Sequence, residues 1–148
     1  MTTQESIIQE IQLLKLVNEL TTKEFIVGET DCNLIALKVL QLQTDNNWYD
    51  LLYKRYKTYV GGARVAKKET GYSNIFDAFK ELECLVAIPY ELATVGDFIV
   101  HKEKGFTSCA IHLGNQVLVA NHLTSKIEII HIDYDELSAD DTICYRVK

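Results

Sequence analysis

Residues 28–43 read GETDCNLIALKVLQLQ, and the order of polar and apolar residues in this stretch decides how the rest of the chain is read. Gly28 can take backbone angles closed to other residues, and Thr30 or Asp31 can accept hydrogen bonds from the orphan N–H groups of a helix start. Leu34, Ile35, Leu37, Val39 and Leu40 follow as an apolar helical run. The spacing therefore predicts a buried helix with Cys32 in its first turn. Unpaired N–H groups and the positive end of the helix dipole favour a thiolate there. Asp31 opposes that ionisation as a like charge. A cysteine so placed is either a nucleophile or one of the small buried hydrophobes that free cysteines commonly are.

The remaining composition fits one α+β domain spanning residues 1–148. The chain has 148 residues, 47% of them hydrophobic, enough to bury a real core. A net charge of −6 argues against nucleic-acid binding, which draws its affinity from lysine and arginine on phosphates. No segment carries the ~18 consecutive apolar residues of a membrane span. Met1 to Glu10 is polar with acids, unlike a secretory signal, so the expectation is a soluble protein made in the cytoplasm. Cys32, Cys84, Cys109 and Cys144 are too scattered for a metal knuckle or redox pair, which predicts free thiols, no metal and no cofactor.

Upstream of Gly28, Thr2 or Thr3 can cap a first helix running to about Leu20, with Ile7, Ile8, Ile11, Leu14 and Val17 as its core-facing stripe. Downstream, Trp48, Tyr49, Leu52, Tyr53, Tyr56 and Tyr59 recur at helical spacing on a third helix expected to stop at Gly61-Gly62. These aromatics are either core or a stacking platform for sugars or bases. Lys54, Arg55, Lys57, Arg64, Lys67 and Lys68 form a basic run on an acidic protein, either a solvated face or a docking surface for an acidic partner protein. Arg55, Tyr56, Lys57 and Arg64 are its candidate binding residues. A short helix is expected over Ala63 to Glu69, and another after Ser73 or Asn74 with Ile75, Phe76, Phe79 and Leu82 inward.

Pro89 breaks the helical pattern, and from Gly96 the period changes to two. Strands are predicted over Asp97 to Lys102, Thr107 to Leu113, Gln116 to His122, Ile127 to Ile132 and Thr142 to Val147, as an antiparallel meander covered by the Cys32 helix.

A cysteine nucleophile needs a base, and His101, His112, His122 and His131 all fall on predicted strands. GETDCNLIAL, then VGDFIV, then the hairpin CAIHLGNQVLVA resemble, in order, the nucleophile helix, Gly-Asp strand and following hairpin of NlpC-type, papain-like cysteine peptidases. The chain is most similar to a branch of that superfamily found in phage and prophage tail gene clusters. Arg55-Tyr56 leading to Gly62-Ala63-Arg64, and the ending Tyr145-Arg146-Val147, belong to the same likeness. The resemblance implies a papain-like fold with N-terminal helices packed on a C-terminal antiparallel sheet. It also implies a catalytic histidine directly before Cys109-Ala110-Ile111, where this chain has Ser108, and an orienting polar residue near Ala120. His112 shares the parity of Ser108 but lies about 13 Å along the strand, and His122 lies about 7 Å beyond Ala120. Candidate catalytic residues are therefore Cys32, His122 and His112, with both partners of the peptidase triad replaced.

This predicts a catalytically degenerate module in a phage virion, a tail tip or baseplate part that contacts other tail proteins. The alternatives are an active cysteine amidase or endopeptidase cutting host peptidoglycan, and a small cytosolic protein-binding module.

Overall fold

The computed structural model describes residues 2–121 and 123–148. Its chain runs through helices α1 (Thr3–Leu20), α2 (Cys32–Gln43), α3 (Trp48–Leu52), α4 (Tyr59–Thr70) and α5 (Ile75–Glu81). Strands β1 (Leu85–Ile88), β2 (Phe98–Glu103), β3 (Phe106–His112), β4 (Gln116–Asn121), β5 (Lys126–His131) and β6 (Thr142–Val147) follow, with short helix α6 (Tyr134–Leu137) before β6. The fold is α+β: N-terminal helices on a six-stranded antiparallel sheet of order β1-β6-β2-β3-β4-β5.

α2 is the central element. Leu34, Ala36, Val39 and Leu40 are fully buried, and they share one core with Phe98, Val100, Ile111, Leu118 and Tyr145 from the sheet. Phe79 of α5 adds edge-on ring contacts to Phe98 and Tyr145, 5.2 and 5.9 Å between centroids.

Three expectations are corrected. The core side of α1 is Leu13, Val17 and Leu20, whereas Ile7, Ile8, Ile11 and Leu14 are exposed. Two apolar stripes of the same helical period run along α1, roughly 120° apart, and α2 meets the one nearer its C-terminal end. The aromatic helix ends at Leu52, not at Gly61-Gly62. Lys54 takes φ 61° and its N–H donates to the Gly28 carbonyl, which turns the chain, and the Thr58 hydroxyl then caps α4 by accepting from Gly61 N. Both glycines lie inside α4, where a Cβ on Gly62 would come within 2.9 Å of the Tyr56 ring. Smallness there serves close packing rather than termination. Finally, β6 does not extend the meander but returns to lie between β1 and β2, pairing Ile88↔Cys144 and Phe98↔Tyr145. Among the described residues, no helix is long and apolar enough to cross a membrane.

Candidate functional site around Cys32

The loop before α2 is stapled by its own side chains. Thr30 Oγ1 accepts from Ile26 N at 2.8 Å and donates to the Glu24 carbonyl at 2.7 Å. Asp31 is wholly buried and caps α2: Oδ1 accepts from Leu34 N at 3.1 Å, and Oδ2 from Gly28 N at 2.8 Å and from the Tyr56 hydroxyl at 2.7 Å. Gly28 has φ 88°, and a Cβ at that position would overlap the Tyr56 carbonyl oxygen. Tyr56 is thus a structural buttress of the helix start, in contact with the cap.

Cys32 follows that cap and is partly exposed at the lining of a cleft of about 300 Å³. β3 and β4 pair over Ile111↔Leu118 and His112↔Val117. Beyond those pairs the strands part, and Ser108 and Ala120 line the cleft together with Cys32, His101 and Leu137 of α6. The two positions where the resemblance would put a base and its orienter therefore share a cleft with the cysteine. Burial pushes the Cys32 thiol up to about 11; a backbone hydrogen bond from Cys109 works the other way, and the Asp31 charge adds to the rise. The helix-dipole benefit is outweighed, and the thiol is protonated at neutral pH.

Two histidines line this cleft, His101 on β2 and exposed His131 at the end of β5. His101 on β2 is the direct cross-strand neighbour of Ser108, so their side chains share a face. Its Nδ1 lies 2.9 Å from Thr142 Oγ1 and 3.5 Å from Asp141 Oδ1. The Thr142 hydroxyl donates to the Glu136 carbonyl, so it accepts from Nδ1–H, and Nε2 lies 3.7 Å from Glu103 Oε2. The polar contacts of the ring are to the start of β6 and the end of β2. Residues 101 and 108 are seven apart in a hairpin, and strand parity across the Lys104-Gly105 turn was the signal that could have paired them.

The chain belongs to the DUF6950 family. Its profile, described as a domain of unknown function, matches residues 8–134, a span that includes Cys32, Asp97 and His101. No curated protein and no solved structure matches the chain.

Within this DUF6950 domain the other candidate residues lie apart from the cleft. His112 is buried on β3, where Nδ1 accepts from Gly114 N at 3.0 Å, and desolvation lowers its pKa. His122 lies outside the described residues. Arg55 pairs with Glu69 at 3.6 Å, while Lys57 and Arg64 are exposed. Trp48, Tyr56, Tyr59 and Tyr72 line a second cavity of about 170 Å³ beside Asn33. Among the described residues, no group of three His, Cys, Asp or Glu side chains is placed to hold a metal ion.

A last polar pair joins two of the sequence motifs. Asp97, of Gly96-Asp97, is buried and accepts from Arg146 Nη2 at 2.7 Å and from Nε at 3.1 Å, 49 residues away. Its Oδ2 also accepts from Thr94 N at 2.8 Å.

Proposed function

We propose that the chain is a catalytically silent papain-like module, used as a structural or docking part of a phage tail at its tip or baseplate, in contact with other tail proteins. The observation that carries the silent part is the surroundings of the thiol. Cys32 shares its cleft with Ser108 and Ala120 where a base and an orienter would stand, and burial holds its proton up to about pH 11. The tail context rests on the resemblance of the motifs. That resemblance gains weight from Asp97 and Arg146, distant in sequence, which meet as one ion pair. Exposed Lys57 and Arg64 beside α4 suit a docking face for an acidic protein partner.

His101 supports a second reading, a cysteine amidase acting on peptidoglycan. The histidine lines the same cleft as Cys32 and is the cross-strand neighbour of Ser108, so a turn of the ring about χ1 would bring Nε2 over Ser108. In that case Nε2 takes the Cys32 proton as sulfur attacks the amide carbonyl, then gives it to the leaving amine, and water releases the acyl group from sulfur.

Purified wild type, Cys32→Ser and His101→Ala on cell-wall fragments separate the two. The silent reading expects no amine release from any of them and equal incorporation of wild type and Cys32→Ser into particles. Turnover by wild type that disappears in Cys32→Ser would overturn it, and its loss in His101→Ala as well would name the base. Failure of the protein to copurify with particles would remove the tail assignment.

A further inference from the structure

The N-terminal half of α1 carries more apolar surface than the domain covers. Ile7, Ile8, Ile11 and Leu14 are 54, 46, 48 and 44% exposed, on the side of the helix away from Leu13, Val17 and Leu20. Ile7, Ile11, Leu14 and exposed Asn18 are spaced four, three and four apart, which makes them successive d, a, d and a positions of a heptad repeat. Ile11 at a with Leu14 at d is the combination that favours two strands, and the single asparagine at the next a, Asn18, offsets the isoleucine at the first d by fixing register in a parallel pair. The flanks agree. Glu10 occupies g and Lys15 the e of the next heptad, five residues on.

We propose that α1 pairs with α1 of a second copy of this chain as a short parallel coiled coil, with Ile7, Ile11 and Leu14 in the seam. In that arrangement Glu10 of each copy meets the partner's Lys15 on both flanks, whereas an antiparallel pair sets g beside g and e beside e and loses that pairing. Two heptads are too few for an isolated peptide, because association must also nucleate the helix. Here α1 is already folded, capped by Thr2 and anchored through Leu13, Val17 and Leu20, so that cost is met before the copies meet. Four half-exposed side chains per copy fall short of the roughly 800 Å² per partner of a standard interface. The dimer is accordingly weak and reversible, and it stands whether or not Cys32 reacts.

Sedimentation velocity of the full chain, from micromolar to near-millimolar concentration, tests it. A concentration-dependent monomer–dimer equilibrium is expected in wild type. Ile11→Lys, at an exposed position, should stay monomeric throughout with an unchanged melting curve. Glu10→Lys should weaken association roughly tenfold, the loss of about 1.4 kcal/mol, and adding Lys15→Glu should restore it. A protein monomeric at every concentration, or a dimer that survives Ile11→Lys, overturns the proposal. A dimer weakened by Glu10→Lys but not restored by the double exchange overturns the parallel register.

Discussion

Asp31 and Asp97 are both buried carboxylates next to a glycine-containing turn, and the chain holds them by opposite means. Asp31 is met by neutral donors: two backbone N–H groups from its own loop and helix start, and the Tyr56 hydroxyl from the connection between α3 and α4. Asp97 is met by a cation, Arg146, whose side chain is 39% exposed and comes from the far end of the sequence. Neutral donors give geometry that salt does not screen, whereas a pair reaching the surface is partly screened. The first arrangement shapes the start of α2. The second ties β6 to the turn before β2.

Removing each carboxylate's support should break the comparison unequally. Asp31→Ala deletes the cap and leaves Gly28 N, Leu34 N and the Tyr56 hydroxyl without their acceptor, so a loss of about 4 kcal/mol is expected in urea denaturation, insensitive to salt. Such a loss is a large share of the roughly 5–15 kcal/mol that a domain has. Arg146→Met leaves Asp97 with the Thr94 N–H among the donors described above; about 2 kcal/mol is expected, discounted for the exposure of the arginine, with the wild-type advantage shrinking as salt is added. Equal losses, or an Arg146→Met effect that salt does not change, would erase the distinction.

The smallest effect sharpens it through pH. The folded Cys32 thiol is raised from 9.0 to about 11, so the native state keeps a proton that the unfolded chain releases. That stabilisation is fully present below pH 9 and is lost as pH rises through 9 to 11. Cys32→Ser should therefore flatten the alkaline fall in stability by about 1 to 2 kcal/mol at pH 11, read from melts between pH 7 and 11. Cys144, also pushed to about 11, keeps part of the fall in place. An unchanged alkaline limb would mean that the thiol is not desolvated.

Features set by neighbours in sequence were legible from the residues alone. The Asp31 cap, the buried face of α2 and the alternation of β2 to β6 depend on contacts a few residues apart, and they stand where periodicity puts them. Features set by choice among equals were not. Both stripes of α1 are apolar with one period, and only the position of α2 selects Leu13 and Val17 over Ile11 and Leu14. Gly61-Gly62 reads as a stop signal until the Tyr56 ring above it is known. At the site, Cys32 and Ser108 were placed by motif order, but His101 enters through cross-strand register and Arg146 through a strand crossover, neither of which local spacing records.

The insertion of β6 between β1 and β2 has a consequence for synthesis. Of the six strands β6 emerges from the ribosome last, yet it is the one that supplies β1 with its pairing in the sheet and closes the free edge of β2. Until residues 142–147 are made, the four strands β2 to β5 can zip locally, while β1 waits beside an open edge and Asp97 waits for its guanidinium. The nascent chain thus carries an unprotected strand edge for the interval that Asp133 to Asp141 takes to pass, and the acidic residues of that stretch are the kind of charge that discourages edge-to-edge pairing with other chains.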